Sequence, residues 1–241
     1  MLCSRCAHIC DNNTLRGRVA RGIIAVFEAP SLESTVSRAD RLDPSKMNQA
    51  IQNPFATQRY QIRFCTHCGG SISRHAPPGD GRARAICESC GTIHYENPKL
   101  VVGCIPVWED RILLCRRAIE PRYGFWTLPA GFMENGESTA DGAARETVEE
   151  AGARVHDLQA FALIDVPYVH QVHLYFIAKL TDLAFSSGDE SLETKLYTES
   201  EIPWDDLSFR TVIETLKHFF ADQARGTFGF HRETLTYPPR P

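Results

Sequence analysis

The sequence predicts an α/β fold in which helices sandwich a mixed sheet, with a small cysteine-rich module ahead of it. Two observations support this prediction. From Lys99 onward, apolar runs of strand length alternate with segments whose apolar residues recur at helical spacing. Before that point, two closely spaced cysteine pairs lie within residues 62–98. The 241-residue chain, of which 43% is apolar, is long enough for one large core and a small appendage.

The charge and hydropathy of the chain exclude two broad classes of function. The formal net charge is −4 and no long basic tract is present, so a general electrostatic affinity for nucleic acid is not expected. The longest apolar stretches, such as residues 100–108, have the length of strands, and none reaches the roughly eighteen residues that span a membrane. We therefore expect a protein that binds a small molecule and has no nucleic-acid or membrane partner.

Cysteine usage and the amino terminus bear on the cellular compartment. Four of the nine cysteines form two CxxCG units, and Cys104 and Cys115 lie in apolar, strand-like runs, a pattern that fits a reducing environment. We therefore expect a cytoplasmic protein. The first 46 residues contain seven Lys or Arg and five Asp or Glu, which is weak support for an organellar transit peptide.

Residues 1–60 show no sustained periodicity and are interrupted by Gly, Pro, Ser and Asn. We expect this segment to be a disordered extension with at most a short strand near residues 22–27. Met47 opens a segment that runs directly into the cysteine module, which leads to the hypothesis that translation starts there. An intact mass of the native protein that includes residues 1–46 would contradict this hypothesis.

The order of elements after the cysteine module predicts the sheet. Apolar runs at 99–108 and 111–117 flank the short polar turn Glu109-Asp110 and predict a hairpin. Further strands are predicted at Leu158–Val166, His173–Leu180 and Lys195–Thr198, and a final amphipathic helix from about Ser208 to Asp222. With another helix between the hairpin and these strands, the order favours a mixed sheet covered by helices.

Residues 61–98 contain two CxxCG units, Cys65 with Cys68 and Cys87 with Cys90, which eighteen residues separate. This spacing is typical of a zinc ribbon with four thiolate ligands. The glycine after each pair permits a positive φ, so that nearby amides can turn toward the sulfur atoms. Four sulfurs complete the tetrahedron of Zn²⁺, so a structural role is expected. The rival interpretations, a redox dithiol or a nucleic-acid-binding ribbon, lack their usual sequence context. Three nearby histidines are expected to be bystanders: His67, His75 and His94.

The segment 131–153 contains a predicted helix. Ser138 has the features of an N-cap, with Asp141 three residues on, and Gly152 is a natural stop, so the helix is predicted at about residues 139–151. At 100° per residue, its small and apolar side chains fall within an arc of about 140° and are expected to pack on the core. These residues are Ala143, Ala144, Thr147, Val148 and Ala151.

Three glutamates, Glu146, Glu149 and Glu150, fall together on the other side of this helix. An acidic helix face is most often a solvated surface. Here, however, Arg145 is the only base among six acids from Glu134 to Glu150, so the repulsion between carboxylates is largely uncompensated. Carboxylates at i, i+3 and i+4 suit Mg²⁺ or Mn²⁺, which would compensate this charge and leave coordination positions for phosphate oxygens.

The same segment fits the pattern GX5EX7REUXEEXGU at each fixed position, from Gly131 to Gly152. On this motif the sequence resembles the Nudix hydrolase family. Thr147 and Ala153 occupy the two positions that are usually bulky and aliphatic, a departure that concerns packing. The resemblance implies a loop-helix-loop within an α/β/α sandwich. It also implies divalent-metal ligands at Glu146, Glu149, Glu150 and the carbonyl group of Gly131, with supporting roles for Glu137 and Arg145.

The resemblance further implies a reaction, the attack of water on one phosphorus atom of a pyrophosphate with the help of Mg²⁺ or Mn²⁺. The attack needs a base that removes a proton from the water. Glu146 is one candidate. Glu190 and Glu193, in a loop after the motif, are candidates for the base or for additional metal ligands.

The sequence around the motif bears on the substrate. A zinc ribbon ahead of the motif resembles the NADH pyrophosphatase branch of the family, but the SQPWPFPxS stretch of that branch is replaced here by FALIDVPYVHQVHLYF. The runs LLCRRAIEPRYGFWTLPAGFMENGEST and ESLETKLYTESEIPWDDLSF resemble instead the zinc-ribbon subfamily that includes the plant plastid FAD diphosphatase, over about residues 62–235. This resemblance implies hydrolysis of FAD or ADP-ribose, with NADH as the alternative. Homodimers are common in the family, and the sequence does not fix the oligomeric state.

Four side chains before the motif are candidates for contact with a nucleotide substrate: Arg116, Arg117, Arg122 and Tyr123. Guanidinium groups pair with phosphate and a tyrosine stacks on a base, although a solvated charge cluster is the ordinary alternative. Phe125 and Trp126 either stack in the same way or belong to the core. His170 and His173 flank a strand and are interpreted as a surface and a core residue.

A different class of function is a nucleotide-sensing protein that keeps this fold without activity. The three helix glutamates would then be a charge cluster that is costly without a metal, and no basic helix-turn-helix segment is visible. The sequence therefore favours an active hydrolase over a pure binding role.

Overall fold

The computed structural model describes residues 61–236, which form a small sheet followed by a large one. The extension at residues 1–60, with the strand expected near 22–27 and with Met47, lies outside the described residues. Within the described part of the chain, no helix is long and apolar enough to cross a membrane.

Three short strands carry the cysteine module: β1 (Ile72–His75), β2 (Arg84–Cys87) and β3 (Ile93–His94). They form an antiparallel sheet with β2 at the centre. Between residues 61 and 98 the buried residues are Cys65, Pro77, Ala85 and Cys87. So small a core does not hold a module folded by apolar burial alone, and a metal cross-link is one source of the missing stability.

The sulfur atoms of the two CxxC units converge. Cys68 Sγ lies 3.4 Å from the Sγ atoms of Cys87 and Cys90, and Cys65 Sγ lies 3.7 Å from that of Cys90. All four sulfur atoms lie within 4.8 Å of one another. A tetrahedron of sulfurs at about 2.3 Å from a metal has edges of about 3.8 Å. The geometry therefore suits a four-coordinate metal.

The surroundings of the sulfurs follow the predicted pattern with one exception. Gly69 and Gly91 have φ values of 76° and 71°, in the region that glycine favours. The amide of His67 donates a hydrogen bond to Cys65 Sγ at 3.4 Å. His94, expected to be a bystander, is in contact with the cluster, because its Nε2 lies 3.3 Å from Cys65 Sγ. The pairing of β3 with β2 brings it there.

The large sheet has eight strands: β4 (Lys99–Trp108), β5 (Arg111–Arg117), β6 (Trp126–Thr127), β7 (Ala130–Phe132), β8 (Val155–Val166), β9 (Gln171–Leu180), β10 (Ser191–Tyr197) and β11 (His231–Thr234). The main order is β10-β5-β4-β9-β8-β11, with β6 beside β5 and β7 beside β4. The β4-β9 and β8-β11 pairs are parallel and the others are antiparallel. The sheet is therefore mixed, as predicted.

The predicted strands are confirmed with small changes in their bounds. β4 and β5 form the expected hairpin, with Glu109 at a positive φ in its turn. β8, β9 and β10 begin two to four residues earlier than predicted, at Val155, Gln171 and Ser191. The sequence analysis missed β6, β7 and β11, because runs of two to four residues carry too little periodicity to identify a strand.

Two helices accompany the large sheet, α1 (Thr139–Ala151) and α2 (Arg210–Arg225). The bounds of α1 match the prediction. Ser138 Oγ accepts a hydrogen bond from the amide of Asp141 at 3.2 Å, and Gly152 ends the helix with φ 57°. The start of α2 was predicted two residues too early, because the amide of Ser208 instead donates to the carbonyl oxygen of Trp126 at 2.8 Å.

The two helices lie on opposite faces of the large sheet. Val102 and Cys104 of β4 pack in a cluster with Ala143 of α1. Ile105 points to the other face, because side chains alternate along a strand, and it packs in a cluster that contains Leu216 of α2. This arrangement confirms the expected α/β/α sandwich.

Strand β7 brings the start of the motif onto the sheet. Gly131 pairs with Val102, and Ala130 pairs with Gly103. A side chain at Gly103 would overlap with Ala130 and would lie 2.6 Å from the carbonyl oxygen of Pro129. The close crossing of β7 over β4 therefore requires glycine at this position.

The loop before β10 is hydrogen-bonded to the last turn of α1. The amide of Ser186 donates to the carbonyl oxygen of Ala151 at 2.9 Å, and the amide of Gly188 donates to that of Glu150 at 3.0 Å. A side chain at Gly188 would overlap with the carbonyl oxygen of Glu149. The glycine therefore lets the loop satisfy carbonyl groups that the helix end leaves free.

We expect Gly188→Ala to lower the free energy of unfolding by about 1–3 kcal/mol, because the added methyl group must push the loop away from α1 and weaken its hydrogen bond. Urea unfolding followed by circular dichroism measures this change. Gly229→Ala is the control, since a methyl group there meets nothing within 4 Å. Equal unfolding midpoints for the two variants would contradict the tight contact.

Candidate active site

The buried face of α1 overlaps the predicted one only in part: Ala143, Thr147 and Ala151 are buried as predicted. Its buried residues are Gly142, Ala143, Glu146, Thr147, Glu150 and Ala151, an arc rotated by about 80° from the predicted one. Val148, which was predicted to pack, is 48% exposed. The prediction was wrong for Val148 and for the glutamates, because it assigned burial by hydrophobicity alone, whereas Glu146 and Glu150 are themselves buried.

Arg145 joins the motif loop to three of the motif acids. Its Nε and Nη2 atoms donate to the two carboxylate oxygens of Glu137 at 2.9 and 2.8 Å. Its Nη1 atom donates to Glu146 at 2.8 Å and to Glu149 at 3.0 Å. Nη2 also donates to the carbonyl oxygen of Phe132 at 3.2 Å. One guanidinium group therefore fixes both the loop and the carboxylates of α1.

The motif acids have different electrostatic environments. The hydrogen bonds from Arg145 lower the pKa of Glu137 to about 2. Burial raises the pKa of Glu146, and burial raises the pKa of Glu150 to about 8, although the amide of Ala130 donates to Glu150 at 3.2 Å. Holding the carboxylate of Glu150 ionised at neutral pH therefore needs additional positive charge.

Gly131 lies directly against Glu146. A side chain at this glycine would overlap with the carboxylate group of Glu146. The backbone of the motif loop and this carboxylate therefore come together, as the proposed metal ligation by both groups requires.

The carboxylate oxygens of these glutamates are chemically suitable ligands for a divalent cation. Glu146 and Glu150 are buried with relative exposures of 9% and 7%, and the side chain of Glu149 is 57% exposed at the edge of the helix. Hard oxygen ligands of this kind suit Mg²⁺ or Mn²⁺. In the described part of the chain, no three carboxylates have oxygens that all lie within 4.8 Å of one another. One carboxylate oxygen of Glu149, Oε2, is paired with Arg145 at 3.0 Å.

The two candidate bases lie in different places. Glu190 is exposed and lies at the end of the loop that is hydrogen-bonded to α1. Its negative charge contributes to the raised pKa of both Glu146 and Glu150. Glu193 lies on β10 opposite Arg116. Burial is the main cause of the raised pKa of Tyr197, and the negative charge of Glu193 adds to this shift. The structure therefore brings Glu190 toward the motif acids and places Glu193 beside Arg116.

A cleft of about 510 Å³ opens beside the motif loop. Ala130 and Gly131 of β7 form part of its lining. Its aromatic lining residues are Tyr123, Phe125, Phe132, Tyr168, Tyr175 and Phe209. A cleft of several hundred Å³ with aromatic walls and a few polar groups suits a ligand of nucleotide size.

Three of the four predicted substrate contacts line this cleft: Arg117, Arg122 and Tyr123. Tyr123 is 55% exposed and is free to meet a ligand with its ring. Arg116 is not among the lining residues, and its Nε atom donates to the carbonyl oxygen of Gly124 at 2.9 Å. The structure therefore places Arg116 beside the cleft rather than within it.

Arg117 connects the cleft with the motif acids. Its guanidinium group lies over the ring of Phe209, 5.2 Å from the ring centre. Burial lowers the pKa of Arg117, and the negative charges of Glu150 and Glu190 oppose this shift, so both carboxylates lie within its electrostatic reach. A phosphate group in the cleft would meet this cation beside the acids.

Sequence analysis did not identify several polar residues that line the cleft: Gln171, His173, Ser208 and Arg210. His173 was interpreted as a core residue. These residues come from separate segments, the start of β9 and the approach to α2, and no spacing in the sequence connects them. Trp126, in contrast, is a core residue. It is 8% exposed, and its ring centre lies 5.2 Å from that of Tyr197 in an edge-to-face contact.

The chain matches two family models. The model described as NUDIX domain matches residues 97–219, and the model described as Nudix N-terminal matches residues 63–96. The two matches divide the chain between residues 96 and 97, close to the start of β4.

Curated relatives include two proteins named NAD-capped RNA hydrolase NudC. The protein from Stutzerimonas stutzeri is 34% identical over 123 residues, which are 49% of this chain and 41% of the relative. The protein from Vibrio parahaemolyticus is 31% identical over 162 residues, which are 66% of this chain and 55% of the relative. The chain therefore spans about half the length of these relatives.

Among solved structures, the chain is similar to a NUDIX hydrolase from Nitrosomonas europaea. The two sequences are 49% identical, the match covers 73% of this chain and 100% of the other, and the TM-score is 0.71. Together with the motif on α1 and the sandwich around the mixed sheet, these matches show that the chain belongs to the Nudix hydrolase family.

Proposed function

We propose that the protein is a hydrolase that uses Mg²⁺ or Mn²⁺ to cleave the pyrophosphate bond of a dinucleotide-type substrate. The leading substrates are FAD, cleaved to AMP and FMN, and ADP-ribose, cleaved to AMP and ribose 5-phosphate. The observation that carries this proposal is the contact between the acids and the cleft: Gly131 lies against Glu146 and also lines the cleft.

In this proposal, separate residues bind the substrate and the metal. Arg117 and Arg122 bind the phosphate groups, and the ring of Tyr123 packs against a planar part of the substrate. The metal ligands are the carboxylates of Glu146, Glu149 and Glu150, with the carbonyl group of Gly131. Mg²⁺ or Mn²⁺, when bound, neutralises phosphate charge and lowers the pKa of water.

Glu190 is our candidate for the base that takes a proton from the attacking water. Its carboxylate is exposed and lies within electrostatic reach of Glu146, Glu150 and Arg117. The hydrogen bond between Gly188 and α1 fixes the chain two residues before it. Glu193 is the weaker candidate, because it lies opposite Arg116 on β10.

NADH is the second candidate substrate, and the curated relatives favour it. Their name describes hydrolysis of NAD-capped RNA, and the chain matches them over about half their length. NADH, FAD and ADP-ribose share an ADP half that a single cleft accommodates. We propose a free nucleotide as the substrate rather than RNA, because the net charge is −4 and the sequence contains no long basic tract for an RNA chain.

We further propose that Zn²⁺ occupies the cysteine cluster and is structural. Four thiolates leave no coordination position for water, and the sulfur spacing of 3.4–3.7 Å is close to that of a zinc tetrahedron.

Cys87→Ser is expected to release the zinc and to lower the melting temperature, because one ligand is lost from a module with a very small core. Metal analysis and thermal unfolding measure the two effects. Cys104→Ser is the control for the zinc content, since Cys104 is also buried but lies outside the cluster. A Cys87→Ser protein with full zinc content and unchanged melting temperature would refute the structural role.

Glu149→Gln should lower kcat by about two to three orders of magnitude while leaving the melting temperature nearly unchanged. The carboxylate is a proposed metal ligand, yet its side chain is 57% exposed, so its ion pair with Arg145 contributes little to stability. Glu214→Gln, which removes an acid paired with Lys217 on α2, is the control and should retain activity. Near-normal turnover in Glu149→Gln would remove Glu149 from the metal site.

Release of AMP from FAD, ADP-ribose and NADH at equal low concentrations with Mg²⁺ tests the substrate. The highest kcat/KM is expected for FAD or ADP-ribose, with the Glu149→Gln protein as background. A clear preference for NADH would replace the leading candidates with the second one. Absence of AMP above background from all three substrates would defeat the proposed function and favour a pure binding role.

A further inference from the structure

Three residues that line the cleft carry a buried polar atom without a hydrogen-bond partner among residues 61–236: His173 Nδ1, Ser208 Oγ and Thr211 Oγ1. Buried polar atoms in proteins are almost always hydrogen-bonded, so three unpartnered atoms in one lining leave hydrogen-bonding capacity that a ligand can satisfy.

His173 has a defined hydrogen-bonding role. Burial lowers the pKa of His173 to about 4, so the imidazole is neutral at pH 7. Its Nε2 atom lies 3.0 Å from Gln171 Oε1 and donates its proton to that oxygen. Since a neutral imidazole has one N–H group, Nδ1 is left as a hydrogen-bond acceptor.

Ser208 provides the complementary group. The residue is 3% exposed, and its amide is fixed by the hydrogen bond to the carbonyl oxygen of Trp126 at 2.8 Å. Its hydroxyl group is able to rotate and to donate a hydrogen bond. The cleft lining therefore offers one fixed acceptor and two hydroxyl groups, those of Ser208 and Thr211. Burial raises the pKa of Tyr175, and the nearby side chain of Thr211 opposes this shift, which leaves Ser208 as the donor for a ligand.

The aromatic walls favour a planar ligand between these groups. Phe125 and Phe209 line the cleft, and each has a guanidinium group, from Arg122 and Arg117 respectively, within 5.4 Å of its ring centre. Aromatic rings pack well on flat heterocycles. A planar heterocycle that carries an N–H donor and an acceptor matches these groups in chemistry.

We propose that His173 and Ser208 recognise the adenine base of the substrate, with the exocyclic amino group donating to His173 Nδ1 and ring N1 accepting from Ser208 Oγ. This inference rests on the proposed function, in which the leading substrates share an ADP half. The two side chains act as specificity determinants, and the motif acids carry the chemistry.

The test compares two nucleotides that differ only at the amino group, AMP and purine riboside 5′-monophosphate. Their dissociation constants are measured by calorimetry with the full-length protein and Mg²⁺, conditions under which AMP, as a product, is not cleaved. We expect the wild-type protein to bind AMP about tenfold more tightly, because purine riboside leaves His173 Nδ1 without a partner.

Two variants separate the two contacts. His173→Ala should bind AMP and purine riboside monophosphate equally, since the partner of the amino group is gone. Ser208→Ala should weaken both nucleotides by a similar factor of about three to ten, since both contain N1. Thr215→Val is the matched control: Thr215 Oγ1 is also buried and unpartnered among the described residues, but Thr215 lies outside the cleft lining, so AMP binding should not change.

Several outcomes would overturn the inference. Failure of the wild-type protein to bind AMP, equal binding of the two nucleotides, or a preference that survives in His173→Ala would show that the amino group is not recognised there. Tighter binding of FMN than of AMP, lost in His173→Ala, would assign the same groups to the flavin. If the protein hydrolyses FAD or ADP-ribose but gives one of these results, the proposed function stands and only the assignment of His173 and Ser208 to adenine recognition fails.

Discussion

The hydrogen bonds of Arg145 are the constraint on which the candidate active site depends. The guanidinium group reaches the loop through the carbonyl oxygen of Phe132 and through Glu137, and it reaches α1 through Glu146 and Glu149. Without this cation, the acids of loop and helix would repel one another across a short distance. The same bonds hold Glu146 against Gly131 and so place the acids beside the cleft.

Close approaches of the backbone at three glycines also position the residues of the motif. Gly103 lets β7 cross β4, Gly131 lets the loop meet Glu146, and Gly188 lets the following loop meet the end of α1. The packing leaves two carboxylates buried, which disfavours their charged form. The native state therefore carries an electrostatic cost that a bound cation would relieve, so affinity for metal and stability of the fold are linked.

Local signals explain what the sequence predicted well. The N-cap at Ser138 and the stop at Gly152 defined α1, and the cysteine spacing defined the four-sulfur cluster. The buried face of α1 was not predictable from hydrophobicity, because two charged residues pack inside. The partners of the cleft, such as His173 and Ser208, meet only through the order and register of distant strands, and a single sequence contains no signal for that register.

The walls of the cleft and the acids beside it come from different parts of the fold. The walls include Tyr123 in the loop after β5, Tyr168 between β8 and β9, and Phe209 before α2, whereas the acids project from α1. Loops accept insertions and exchanges more readily than a packed helix does. Related proteins can therefore differ in the molecules they bind through changes in these loops, while the acids of α1 stay the same.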